Sequence, residues 1–214
     1  MGTEPNNFFS IGSFLSDMSS LPNNPVSSVC WRRRILSPAS ISAVFAVSLW
    51  LAAITAGINS GLELPVVHKD VNHHPWERVI PIFANNALAA LSLYAGVVLL
   101  GTVSVLQTIV LGLFSGGVIH AAAAGLGTSQ AIELLVPYFV FEALGLVVAT
   151  WAGLLPVTTL VVGYPFRDEP SPRGWRSRIS LYLSAVPRTV PLLALAMFFI
   201  MVGAVLEVAG GLPR

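Results

Sequence analysis

Glu142 stands alone in an apolar stretch: residues 136–150, VPYFVFEALGLVVAT, hold no other charge, and Tyr138 precedes it by one helical turn. A carboxyl kept neutral by burial can give up a proton near neutral pH, and an imidazole or phenol within reach can take or return it. His120 supplies the imidazole, because between Arg78 and Glu133 the chain has no Asp, Glu, Lys or Arg. Glu142, His120 and Tyr138 are therefore the candidate catalytic set if the protein is an enzyme. Asn85, Asn86 and Glu207 complete a polar cluster within apolar surroundings. The same residue types also serve architecture. Asn and His bond between helices in lipid at a gain of a fraction of a kcal/mol to about 2 kcal/mol each. A carboxylate at membrane depth is costly, which makes Glu142 a functional-site hypothesis by default.

Other chemistries find no support. There is no P-loop, HExxH or Ser-His-Asp pattern. His68, His73 and His74 do not follow zinc-ligand spacing, so no metal and no cofactor are expected. The single cysteine, Cys30, excludes an intrachain disulfide. A formal net charge of +1 without a basic stripe gives no reason to expect nucleic acid.

The elements that must position these groups follow from composition. Of 214 residues 55% are hydrophobic and 10% charged, with mean hydropathy +0.78. A soluble domain is about one quarter charged. About 20 apolar residues cross a bilayer, so the fold class is an all-α, polytopic membrane helix bundle. The spans are expected at 39–62, 80–103, 106–126, 132–155 (with an apolar extension to 162) and 184–206. Residues 1–34, rich in Asn, Ser and Pro, read as a disordered cytoplasmic tail ahead of a transmembrane domain at 35–214. Arg32, Arg33 and Arg34 precede the first span; Arg167, Arg173, Arg176 and Arg178 precede the fifth. Positive residues in short loops stay inside, so the N-terminus and loop 164–178 are expected in the cytoplasm and loop 63–79 outside.

With a rise of about 1.5 Å per residue, Asn85 and Asn86 fall roughly 8 Å below the outer surface, His120 about 9 Å, and Tyr138 and Glu142 roughly 9–15 Å. These groups share one layer. Pro137 is expected to kink the fourth helix just before Glu142. Gly112 and Gly116, the Gly117, Ala121 and Gly125 series, and Gly145, Ala149 and Gly153 are spaced to let helix backbones approach closely. The turn between the second and third spans is expected at 101–107.

Across residues 78–210 the chain resembles the stage II sporulation protein M family of multi-pass membrane proteins. The resemblance rests on Asn85-Asn86 opening the second helix and on Phe114-Ser115-Gly116, where the family tends to have an Asn-Gly step. It rests also on PYFVFEA at 137–143, which looks like the family's Pro-His-Gly-x-x-Glu signature, and on Glu207 near the end of the last helix. Pro137, Glu142 and Glu207 match; Tyr138, Phe139 and Ser115 replace the family's His, Gly and Asn. In its best-known members the resemblance implies a membrane component of a complex that remodels the septal membrane during spore engulfment.

The function expected is a non-enzymatic membrane subunit of a larger complex, serving membrane remodelling or a transport or export partner, in a prokaryotic cell membrane. With no nucleotide motif of its own it would draw energy from partner membrane or ATPase subunits. The alternative is a membrane-embedded enzyme subunit using Glu142, His120 and Tyr138 on a peptide or lipid, for example a cofactor-free peptide epimerase or dehydratase. An ion or proton channel fits less well, because the polar residues stop near mid-membrane.

Overall fold

In hydrocarbon every backbone N–H and C=O must be satisfied internally, which leaves helices for a chain of this composition. The computed structural model describes residues 37–61, 75–162 and 175–210, and every regular element among them is helical. Helix α1 covers Pro38–Asn59. A 3-10 turn at Pro75–Arg78 leads into α2, Val79–Tyr94, which tightens into a second 3-10 turn at Ala95–Val97. Helix α3 is Thr102–Leu126 and α4 is Thr128–Val162. Helix α5, Trp175–Ala185, is separated by a 3-10 turn at Val186–Thr189 from α6, Val190–Gly210. Five stretches are long and apolar enough to cross a membrane: Pro38–Asn59, Trp76–Val97, Thr102–Leu126, Thr128–Val162 and Trp175–Gly210. The chain divides into two units, Met1–Ser37 and Pro38–Arg214, and helices α1 to α6 all belong to the second. The expected tail at 1–34, the histidines at 68, 73 and 74, Cys30, and most of both expected loops lie outside the described residues.

Close approaches between small residues set the helix directions. Gly112 of α3 lies against Ala53 of α1, and Gly116 against Ile54, Gly57 and Ile58. Rising numbers on both helices mean that α1 and α3 run parallel. A Cβ on Gly116 would stand 2.8 Å from the Gly57 Cα, closer than side chains tolerate. Gly145 of α4 meets Ala196 and Ile200 of α6, while Gly203 of α6 meets Glu142 and Tyr138, so α4 and α6 are antiparallel. The up-and-down order agrees with five successive crossings. At their centre Trp50, Ala90, Leu93, Leu146, Ala149, Ala196 and Ile200 form the apolar core, drawing on α1, α2, α4 and α6. Gly125, by contrast, faces open space, so the third helix's small-residue pattern is not used in its last turns.

Several boundaries differ from the sequence reading. The turn between the second and third spans falls at 98–101 rather than at 101–107, on the more apolar side. Gly101, with φ 79°, supplies the left-handed residue that ends one helix and starts the next. Leu100 also takes a positive φ of 52°. The fourth helix starts at Thr128 and continues through both Pro137 and Pro156. The fifth span is preceded by α5, whose first residues, 175–178, are helical rather than loop.

Candidate functional site

Two groups of polar side chains lie within the bundle. The first sits on the faces of α2, α4 and α6 that meet around Glu142. Asn86 Nδ2 donates a hydrogen bond to Glu142 Oε1 at 2.7 Å, joining α2 to α4. Because Gly203 has no side chain, α6 packs directly on the stem and backbone of Glu142; a Cβ there would come 3.2 Å from the Glu142 backbone nitrogen. Tyr138, one turn earlier on α4, lies within electrostatic reach of both Glu142 and Glu207. Asn86, Tyr138, Glu142 and Glu207 are all half-buried. An amide donor suits either an ionised or a neutral carboxyl, and at membrane depth a carboxyl needs such a partner.

The other residues named from the sequence stand apart from this hydrogen bond. Asn85 and His120 are exposed side chains on α2 and α3. Consecutive helical residues point about 100° apart, which is why Asn86 turns inward while Asn85 turns out. His120 lies beyond Gly112, Gly116 and Gly117, the last buried residues along α3. Among the described residues no group of three or more His, Cys, Asp or Glu is placed to hold a metal ion.

The second group lies nearer the turn at 98–101, and its residues carry no charge. Trp50 Nε1 on α1 donates to Thr150 Oγ1 on α4 at 2.9 Å. The hydroxyls of Thr108 on α3 and Thr150 share a hydrogen bond at 3.0 Å. Each threonine is also within reach of the carbonyl four residues back in its own helix, Thr108 of Ser104 and Thr150 of Leu146, so with one hydrogen apiece one hydroxyl donates to its carbonyl while the other donates across. Ser104 Oγ donates to the Leu93 carbonyl at 2.6 Å, tying α3 to the last turn of α2. The hydroxyls of Tyr94 and Thr189 pair at 2.9 Å, and Tyr182 on α5 donates to the Val97 carbonyl. Ser104, Thr108, Thr150 and Thr189 are fully buried.

Where a helix ends in lipid its last carbonyls need partners. The Leu93 carbonyl accepts a backbone N–H at the end of α2 and a second bond from Ser104, and Tyr182 bonds the Val97 carbonyl. Sequence reasoning passed over Trp50, Thr108, Tyr94, Thr189 and Tyr182. The spacing of Ser104 and Thr108, one turn apart on an otherwise apolar helix, was the available signal. Trp151 Nε1, beside Thr150, is buried without a hydrogen-bond partner among the described residues.

No curated protein and no solved structure matches the chain. The profile of the family described as Stage II sporulation protein M matches residues 41–209. That range contains all five apolar spans almost whole, together with Asn86, Glu142 and Glu207, and this multi-pass helical membrane protein belongs to the stage II sporulation protein M family.

Proposed function

We propose that this protein is a non-enzymatic membrane subunit of a larger complex in a prokaryotic cell membrane, serving membrane remodelling or a transport or export partner. The observation that carries the reading is the Asn86–Glu142 hydrogen bond, with Gly203 packed against the stem and backbone of Glu142. It uses the acidic residue to hold three helices in register. The spans' outer surfaces support the same view: at most 28% of any span's most apolar window is buried within the chain, leaving wide faces to lipid and to neighbouring subunits. Energy for any movement would come from a partner ATPase. The basic residues ahead of α1 and α6 support a cytoplasmic N-terminus.

The competing reading, acid–base chemistry on a peptide or lipid, draws on Tyr138 lying near both carboxyls. One experiment separates the two. In a deletion strain complemented with variants of the full chain, Tyr138→Phe and His120→Ala should both restore the wild-type phenotype, and the tagged chain should migrate on native gels well above its own mass. Loss of function in either variant at normal accumulation, with a chain that migrates alone, would establish the enzymatic reading instead.

A further inference from the structure

The fifth apolar stretch, Trp175–Gly210, has 36 residues, which at about 1.5 Å per residue is far longer than the ~30 Å hydrocarbon core. Helix α6 alone, with 21 residues, suffices for the crossing. The 3-10 turn at Val186–Thr189, with Pro187 at its start, separates α5 from it.

Helix α5 is held at its C-terminal half, where Ala185 is buried and Tyr182 donates to the Val97 carbonyl in the 3-10 turn after α2. Along it Trp175, Ile179 and Leu183 repeat at every fourth position as an apolar stripe flanking Tyr182, and all three are exposed, Trp175 at 70%. The Tyr182 bond sets α5 beside the turn between α2 and α3, whose Val98, Leu99 and Leu100 are also exposed, Val98 at 80%. Arg176 and Arg188 are exposed on the same span.

We propose that α5 and the turn at 98–100 form a platform lying in the headgroup–acyl boundary of an anionic phospholipid leaflet, with Arg176 and Arg188 on the phosphates. The ends of the second and third spans mark where the bilayer surface must pass, so the apolar turn and the apolar stripe beside it stand at that surface. Tryptophan favours this depth. An arginine places its stem along acyl chains and its guanidinium among phosphates. An amphipathic helix with one apolar face and basic residues binds such an interface most strongly when the lipid is anionic.

The test uses the full chain with Cys30→Ser, reconstituted in phosphatidylcholine vesicles with or without phosphatidylglycerol. Nitroxide labels at Ile179→Cys and Ser180→Cys report collision with oxygen and with an aqueous nickel complex. The label at 179 should meet oxygen several-fold more readily than nickel, and the label at 180 the reverse. Phosphatidylglycerol should be enriched around the wild-type chain, retained by the double variant R176K/R188K and lost several-fold in R176Q/R188Q. The lysine variant distinguishes loss of charge from a failure to fold. Nickel access at 179 equal to that at 180 would overturn the proposal. Shielding of 179 from both reagents would overturn it in favour of a protein partner, and unchanged enrichment in R176Q/R188Q would remove the phosphate contacts.

Discussion

The layer around Glu142 and the lattice near the 98–101 turn are both polar, yet they are built differently. Around Glu142 the side chains are half-buried and two of them are acids. Near the turn the hydroxyls of Ser104, Thr108, Thr150 and Thr189 are fully buried and neutral, and each has a backbone carbonyl within donating reach. Full burial in a low-dielectric bundle penalises charge far more than a hydroxyl whose bond is made. The neutral hydroxyls therefore sit where packing is complete, while the Glu142 carboxyl is met by an amide from α2. The lattice is the structural half of the bundle.

That contrast can be broken most directly at Gly153, whose missing side chain lets Ser104 and the Leu93 carbonyl close on α4. Gly153→Val should cost about 3 kcal/mol or more through overpacking, seen as a large fall in the detergent melting temperature and in membrane accumulation. Next, Thr150→Val keeps the shape but removes the acceptor of Trp50 Nε1 and the partner of Thr108. It should cost about 1–2 kcal/mol, as interhelical hydrogen bonds and orphaned donors in bundles do, measured by unfolding in mixed micelles. A matched pair sharpens the point: Trp50→Phe should destabilise more than Trp151→Phe, since only the first breaks a hydrogen bond and the second removes an unpaired donor. Equal losses would show that ring volume, not bonding, governs this half.

In the Glu142 layer the expected effects are smaller. Glu142→Gln keeps an acceptor for Asn86 and should shift stability by less than about 0.5 kcal/mol, whereas Glu142→Ala leaves the amide unpaired and should cost about 1 kcal/mol. A glutamine variant as unstable as the alanine variant would show that the charge itself holds the helices. The smallest effect is expected at Arg188, exposed beside the 3-10 turn. Arg188→Lys should leave the melting temperature within error, because either long stem can carry its charge to the headgroups.

Composition and run length alone determined the helical membrane class and the number of crossings, because only a helix can satisfy its backbone in lipid and about 20 apolar residues are needed per span. The short motif around Pro137 and Glu142 indicated the family from residue identities alone. Helix pairing was not legible. Gly116 and Gly125 look equivalent in the sequence, but only Gly116 lies against α1, because whether a glycine is used depends on where a neighbouring helix crosses. Asn85 and Asn86 are chemically identical, and the rotation of α2 alone decided which one reaches Glu142. His120, expected in one layer with Glu142, is an exposed side chain on α3 and stands apart from the Asn86–Glu142 bond, because the azimuth of a side chain follows from packing. Trp50 and Thr150 lie 100 positions apart in sequence, and no local pattern pairs them. The tertiary structure brought them together because a buried indole N–H needs an acceptor and the threonine of α4 was the one in reach.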